Sequence, residues 1–373
     1  MLCRVCQTTI SAPPLLEYRN LPAAAQHLPT APGTAGIDLR VVQCPGCALV
    51  QLDAEPVPYY REVIRAAAYS PEMGRFRHRQ FRAFLKRHQL LGKKVLEIGC
   101  GRGEYLRLMA AAGARVSGIE GGRETADLAR QDGFDVHNIY LETGQENIPG
   151  APYAAFFVLN WLEHLPNLPR VLNGIHANLQ PQGIGLVEVP NFDMILQNRM
   201  FAEFTADHLF YFTRATLRRT LENHGFDVIR DRVVWHNYVI SAEVRKRLPL
   251  EVSGFAAAQQ ELIRQIHAFT GRFQPREVAV WGAGHQAFAI MALARLGNRV
   301  RAVMDSAPFK QGKFTPASDL PIVSPDLLDD TSIKAVLVMA GSYSDEIVRL
   351  IRRRRENTVA VAVLQDANLE ILP

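Results

Sequence analysis

The stretch Lys93-Lys94-Val95-Leu96-Glu97-Ile98-Gly99-Cys100-Gly101-Arg102-Gly103-Glu104 constrains this chain more than any other. Its apolar run, Val95 to Ile98, has the pattern of a strand buried on both faces. The run breaks into three alternate glycines before a helical pattern that begins near Tyr105. Strand, glycine turn and helix predict an α/β sheet with a ligand over the turn, because bare Cα atoms let the backbone bend and let a ligand approach main-chain N–H groups. The acids decide which ligand. A dinucleotide turn, G-x-G-x-x-G, takes a pyrophosphate, whereas here Glu97 stands two residues before the first glycine, where a carboxylate repels phosphate and attracts an ammonium or sulfonium. A second strand, Ala114 to Ile119, ends in Glu120, where a carboxylate accepts both hydroxyls of a ribose.

The turn E-x-G-x-G-x-G with a strand-end acid resembles the class I S-adenosylmethionine methyltransferases. The resemblance implies S-adenosylmethionine as cofactor, with Glu97 near its methionine end, Gly99, Gly101 and Gly103 beneath it, and Glu120 on its ribose. The plain alternative is a glycine turn in some other α/β domain. After Glu120 the pattern gives a helix, Arg123 to Asp132, a short strand at Phe134 to Val136, and a polar loop through Glu142 and Glu146 that borders the adenine. An apolar strand, Ala154 to Leu159, runs into Asn160-Trp161-Leu162-Glu163-His164. Ligands sit beyond the carboxyl ends of parallel strands, so Asn160 and His164 are expected to reach the cofactor. The resemblance includes this Glu-His; a His164 that only braces its loop is the alternative. Leu179 to Gly183 reads as a helix end and turn, followed by a strand from Gly185 whose Pro190-Asn191 end, by the resemblance, opens the substrate side.

A length of 373 residues suggests two or three domains. The formal net charge of +5 is spread along the chain, so it does not by itself argue for nucleic acid. No apolar run reaches membrane-spanning length, and Met1-Leu2-Cys3-Arg4 lacks a signal peptide's apolar core; a cytoplasmic protein with no membrane or nucleic-acid partner is expected. Four of the five cysteines form two C-x-x-C pairs, Cys3 with Cys6 and Cys44 with Cys47. Each pair presents two thiolates from one tight turn, and two turns complete the tetrahedron that zinc prefers. In a reducing cytoplasm this is a structural zinc site, closed to chemistry because protein sulfur fills all four positions. A thioredoxin-like redox pair is the rival, but neither pair opens a helix after a strand. Cys100 reads as a small buried residue in the glycine turn.

After the linker Pro56-Val57-Pro58-Tyr59-Tyr60 come Ala66-Ala67-Ala68-Tyr69-Ser70-Pro71 and a basic helix, Arg75 to Gln89. A zinc domain ahead of a cofactor domain resembles the sugar C-methyltransferases that act on nucleotide sugars. By that resemblance Tyr69-Ser70 face the sugar; without it Tyr69 is an interdomain contact. The segment Phe204-Thr205-Ala206-Asp207-His208-Leu209-Phe210-Tyr211-Phe212-Thr213 matches the family's Glu-His followed by Leu and Tyr-Phe-Ser/Thr, with Asp207 in place of Glu. The resemblance makes His208 the base. Bonding carbon to a sulfonium methyl needs a carbanion, and histidine is the usual base near neutral pH, worth roughly a hundred- to ten-thousandfold in rate. Asp207 would orient the ring or favour its protonated form, and Tyr69, Thr205 and Tyr211 would donate to the oxyanion. If the stretch is helical, Thr205, His208 and Tyr211 share a face. The family's Tyr three residues before the His is Thr205 here, a shorter and less acidic hydroxyl, so the methylated atom stays open. The plain alternative for His208 is a hydrogen-bonded anchor among aromatics.

A strand at Val233 to Tyr238 and a polar connecting helix, Ala256 to Phe269, precede a second α/β pattern: Val278 to Trp281, Gly282-Ala283-Gly284-His285-Gln286-Ala287, then a strand from Val300 to Met304 and Asp305. A dinucleotide site must be considered. The resemblance instead makes this a degenerate Rossmann unit holding the nucleotide end of the substrate, with Phe309-Lys310-Gln311-Gly312-Lys313 and Pro321-Ile322 in matching places. Substrate-binding candidates are therefore Asn191, Gly282, Gly284, His285, Lys310 and Lys313. Many members read Gly-Ala-Ala-x-Lys-Gly at this turn, and the missing Lys leaves the nucleotide open. Arg352 to Arg355 close a helix that begins near Tyr343, with no aromatic platform beside them, and read as a solvated helix end.

The expected fold class is α/β: a class I methyltransferase sheet, parallel with an antiparallel edge, plus an N-terminal zinc domain and a C-terminal Rossmann-like domain. The expected domains are 1–60, 61–250 and 251–373, with a small-molecule substrate between the last two. Rival functions are O- or N-methylation of another metabolite, a zinc-ribbon protein that modifies RNA, and a binding protein with a dead pocket. Few Lys or Arg lie between Cys3 and Cys47, which disfavours RNA. The oligomeric state is open, a monomer being sufficient.

Overall fold

The computed structural model describes residues 1–24, 33–62 and 69–373, so residues 66–68 of the segment leading to Tyr69 lie outside the described residues. It divides into two units, Met1–Pro249 and Leu250–Pro373. The cysteine segment belongs to the first unit. Its antiparallel strands β1 (Leu16–Leu21), β2 (Ile37–Gln43) and β3 (Val50–Leu52) gain a fourth neighbour, Phe210–Tyr211, from far along the chain. Val50 and Leu52 pack in one cluster with Phe204 and Tyr211, so residues 1–60 share a core with the rest of the first unit.

Helix α1 (Pro71–Arg87) starts where Ser70 accepts the Met73 N–H at 3.1 Å, with Pro71 in its first turn. Then come β4 (Lys94–Ile98), α2 (Glu104–Ala111), β5 (Arg115–Glu120), α3 (Arg123–Gln131), β6 (Val136–Asn138), β7 (Tyr153–Leu159), α4 (Leu168–Ala177), β8 (Leu179–Pro190), α5 (Phe192–Gln197), β9 (Phe210–Tyr211), α6 (Arg214–Asn223), β10 (Phe226–Val234) and β11 (Val239–Lys246). The sheet order is β10-β11-β8-β7-β4-β5-β6, with β10 and β11 forming the antiparallel edge. Helix α1 lays Phe81, Phe84 and Leu85 on the sheet. Beside them a buried polar patch joins Arg77 and Gln80 to Glu188, and Arg87 and His88 to Glu243. Removing one partner of such a buried pair costs about 3–5 kcal/mol.

Three stretches depart from the sequence expectation. Leu179 to Gly183 is not a turn: it opens β8, because Leu179 pairs with Tyr153, and a register shift absorbs the left-handed Gln182. Of the strand expected at Val233 to Tyr238 only Val233 and Val234 belong to β10; Trp235 to Tyr238 form the tip of the β10–β11 hairpin, where Trp235, His236 and Asn237 have φ of 47°, 56° and 65°. Asn191 holds that tip, donating its N–H to Tyr238 O at 2.8 Å and its side-chain amide to Asn237 O at 2.7 Å. Thr205 to Tyr211 is a turn leading into β9 and not a helix. Sheet partners claim its backbone, since Leu209 N–H bonds Glu163 O at 2.7 Å and Leu52 N–H bonds Leu209 O at 3.0 Å.

The second unit comprises α7 (Ser253–Thr270), β12 (Val278–Trp281), α8 (His285–Leu293), β13 (Val300–Met304), β14 (Ile322–Val323), β15 (Ala335–Val338), α9 (Ser344–Arg355), β16 (Ala360–Gln365) and β17 (Asn368–Leu372). Its sheet runs β14-β13-β12-β15-β16-β17, parallel except for β17. Helix α7 is more than a connector, since Leu262, Ile266 and Phe269 enter the core. The arginines closing α9 are not simply solvated. Arg355 donates to Asp330 O at 3.0 Å and Ile333 O at 3.3 Å, and Arg352 to Val359 O at 3.2 Å. Among the described residues no helix is long and apolar enough to cross a membrane.

Candidate active site

Glu97 lies on β4 with no exposure, and the turn beyond it places Gly99, Gly101 and Gly103 at φ of 65°, 57° and 85°. Gly103 is forced twice over: its φ is left-handed, and a Cβ there would stand 2.8 Å from the Phe134 ring. Glu120 at the end of β5 reaches back over the turn, one oxygen accepting the Gly101 N–H and the other the Gly122 N–H, each at 2.9 Å. In the loop beyond β6, Glu146 accepts from the backbone of Glu142, Thr143 and Gly144. Burial pushes its pKa up, but these donors outweigh burial and bring it down to about 2. Glu142 pairs with Arg61. Both acids therefore shape the loop.

At the carboxyl end of β7 the chain builds a second cluster. Asn160 sits at φ 48°, and Glu163 and His164 follow in a buried turn. His164 donates Nδ1–H to Asp207 O at 2.7 Å, and burial lowers its pKa, so the ring is neutral and its Nε2 carries no proton. His164 thus sits against the Asp207–His208 turn. The ring centroids of His164 and His208 are 4.7 Å apart. Burial, then the neighbouring His164, pushes the pKa of His208 down to about 3. Asp207 is 2% exposed; one carboxylate oxygen accepts from Tyr59 Oη at 2.8 Å and the other from Thr205 Oγ1 at 3.3 Å. Thr205 and Tyr211 do meet, by a hydrogen bond and not along a helix face: Thr205 N–H donates to Tyr211 Oη at 2.9 Å. Burial raises the Tyr211 pKa and keeps it protonated. Tyr69 stacks on Tyr105 with 6.0 Å between ring centroids, and Ser70 serves as the cap of α1.

Cys3, Cys6, Cys44 and Cys47 converge, with Cys3–Cys47 and Cys6–Cys44 sulfur separations of 3.7 and 3.4 Å, and none is in a disulfide. In the second unit a pocket of about 650 Å³ is lined by Gly282, Gly284, His285, Asp305, Lys310 and Tyr343, among others. Asp305 accepts the Ala283 N–H at 2.8 Å and Lys310 Nζ at 3.0 Å. Lys313 is exposed and outside the lining.

Residues 72–231 match a family model described as a methyltransferase domain, and residues 252–363 match one described as a C-methyltransferase C-terminal domain. The C-methyltransferase NovU of Streptomyces niveus is 30% identical over 292 residues, covering 69% of this chain and 68% of NovU. The chain belongs to the S-adenosylmethionine-dependent C-methyltransferases. A ubiquinone biosynthesis O-methyltransferase of Aeromonas salmonicida is 31% identical over 158 residues, covering 38% of this C-methyltransferase and 66% of the relative. The PH0226 protein of Pyrococcus horikoshii OT3 superposes with a TM-score of 0.41 at 15% identity, over 50% of this chain and 98% of that one.

The donor sets fit both groups. A fully buried Glu97 suits the cationic methionine end of S-adenosylmethionine, and the Glu120 carboxylate, fixed over the glycine turn by the Gly101 and Gly122 N–H groups, suits ribose hydroxyls. Four thiols at these separations suit a zinc tetrahedron, whose sulfur–sulfur edges are about 3.8 Å. Sequence reasoning missed Tyr59 at Asp207, and Tyr238 with Glu203, bonded at 2.5 Å in the same cluster. No spacing signals either pair; the partners are far apart in sequence.

Proposed function

We propose that this C-methyltransferase alkylates the carbon beside a ketone in a nucleotide-linked keto-deoxysugar, with His208 as the base. The observation that carries the reading is the placement of His208: its ring stands 4.7 Å from that of His164, with the Glu163 carboxylate in the same cluster, and burial keeps it unprotonated, hence available as an acceptor though a weaker base than a free imidazole. His208 takes the proton from the α-carbon, and the electron pair moves onto the carbonyl oxygen as an enolate. Tyr211, kept protonated, is the donor for that oxygen; the Thr205 hydroxyl is engaged with Asp207 and would have to turn from it to join, and Tyr69 stands on Tyr105. S-adenosylmethionine, held by Glu97, the three glycines and Glu120 with Asn160 nearby, supplies an electrophilic methyl to the carbon so activated. Asn191 shapes the substrate side by holding the hairpin tip, and in the second unit, taken by itself, the pocket with Lys310, His285 and the Gly282–Gly284 turn suits a nucleotide. Zinc on the four cysteines would be structural.

The test is a panel of nucleotide-linked keto sugars with mass spectrometry to locate the added methyl, alongside deuterium wash-in beside the ketone without cofactor. Wash-in that disappears in His208→Ala is expected, with methyl transfer reduced by at least about a hundredfold. A product methylated on oxygen or nitrogen overturns the reading.

A further inference from the structure

We propose that the basic helix α1 carries an anion site of the first unit: a groove beside Tyr69 in which Arg75, His78 and Arg79 take a phosphoryl group. The groove has a volume of about 490 Å³, within the range of small-ligand sites, and Tyr69, Gly74, Arg75, His78, Arg79 and Leu108 are among the residues that line it. No carboxylate is in that lining. Neither the glycine turn nor His208 belongs to it, so the inference goes beyond the reaction proposed above.

Three observations lead to it. First, the three cations stand at i, i+3 and i+4 on one face of α1, where like charges repel and an anion between them offsets the repulsion. Second, among the described residues none of the three side chains has an ion-pair or hydrogen-bond partner. Elsewhere in this unit exposed arginines are matched, Arg40 with Asp53, Arg107 with Asp132, Arg130 with Asp127 and Arg247 with Asp227. Third, the aromatic wall of the groove is fixed. Tyr69 stacks on Tyr105 with 14° between ring planes, and its ring lies over Gly74, where a Cβ would stand 2.9 Å from Tyr69 Cε2. Gly74 is buried inside a helix, where glycine is less favourable than alanine; what it permits is the seating of that ring.

The lining also selects the kind of anion. Two guanidinium groups one turn apart, an imidazole and a phenol supply donors from several directions, which the two coplanar oxygens of a carboxylate do not use. A phosphoryl group presents its oxygens as a tetrahedron and pairs bidentately with arginine forks. Such a group has two sources: the diphosphate of a nucleotide-linked substrate, or a free inorganic phosphate.

The experiment uses the full-length, metal-loaded protein and needs neither a sugar nor methyl transfer, so it is independent of the base assignment. The ring signals of His78, assigned by their loss in His78→Gln, are followed by NMR as inorganic pyrophosphate is added. Saturable movement at about millimolar pyrophosphate is expected, and in the double variant Arg75→Gln, Arg79→Gln the affinity read at His78 should fall about ten- to a hundredfold. Both positions are exposed and glutamine is a good helix former, so the melting temperature should hold and S-adenosylhomocysteine should bind as it does to native protein. Titration with a nucleoside diphosphate separates the sources: binding tighter than pyrophosphate at His78 assigns the groove to the substrate, and equal or weaker binding assigns it to a free phosphate. Signals that move no more with pyrophosphate than with sodium chloride of equal ionic strength, or that respond equally in the double variant, overturn the proposal. So does a loss of S-adenosylhomocysteine affinity in that variant, which would give the groove to the cofactor. If methyl transfer survives in His208→Ala, the proposed reaction falls and the anion site is untouched.

Discussion

The two units use one device with different charges. In each, a glycine turn follows the first strand of a parallel sheet, and an acid at the end of the neighbouring strand reaches back to a turn N–H: Glu120 to Gly101 in the first unit, Asp305 to Ala283 in the second. The difference lies around that frame. Glu97 stands buried two residues before the first glycine of one turn, while Val280 holds that position in the other. In the second unit Lys310 comes to the strand-end acid and also donates to Ala283 O at 2.9 Å. One backbone geometry thus suits a cationic ligand where the chain adds a buried acid, and an anionic ligand where it adds a lysine. Fold alone does not choose between them.

The largest effect expected on this comparison is in the first unit. Arg77→Ala leaves the Glu188 carboxylate buried without its cation, and should destabilise that unit by about 3–5 kcal/mol in urea unfolding while the second unit's transition stays put. Glu97→Gln should weaken S-adenosylhomocysteine binding by about ten- to a hundredfold in calorimetry, with stability little changed. Unchanged affinity would break the charge argument at its centre. Lys310→Met removes a partly exposed pair, worth about 1 kcal/mol or less to the second unit, and should weaken binding of a nucleoside diphosphate by several-fold without touching cofactor affinity.

Acid should separate the units more gently. The folded pKa of His208 lies below its ordinary value, so the unfolded chain binds a proton that the folded chain refuses; this contribution to stability is intact above about pH 6.5 and declines as pH falls toward about 3. Asp305 is also lowered: burial works against this, but the backbone N–H of Ala307 and the Lys310 ammonium outweigh it. For a depressed carboxylate the stability is present above its ordinary pKa, near 4, and is lost only below it. Peptide-resolved hydrogen exchange between about pH 6 and about pH 4 should therefore show β7 losing protection before β12.

The shape of the glycine turn was legible because its information is local: Glu97, three alternate glycines and Glu120 all lie within one strand–turn–helix–strand run. The convergence of the four cysteines was legible for the same reason, two short spacings acting as two units. The turn at Thr205–Tyr211 was not. Its residues carry no strong helix or strand period, and what decides their shape is pairing with Val50 and Leu52 and with Glu163, all distant in sequence. The hairpin tip at Trp235–Tyr238 was misread because apolar and aromatic residues there mimic a strand, while Asn191 fixes three left-handed residues that sequence gives no reason to expect. Tyr59 belongs to this class too: a tyrosine in a proline-containing linker acquires meaning only once the chain returns to it at Asp207.

The pairing of Phe210–Tyr211 with Val50–Gln51 has a consequence for anyone cutting or recombining this gene product. A fragment beginning at α1 would present β9 with a bare hydrogen-bonding edge two residues from the imidazole, and would have lost the phenol at position 59. Exchanging amino-terminal modules between relatives would likewise alter the turn that carries Asp207 and His208. The cysteine module is best treated as one wall of the Asp207–His208 turn, to be moved only together with it.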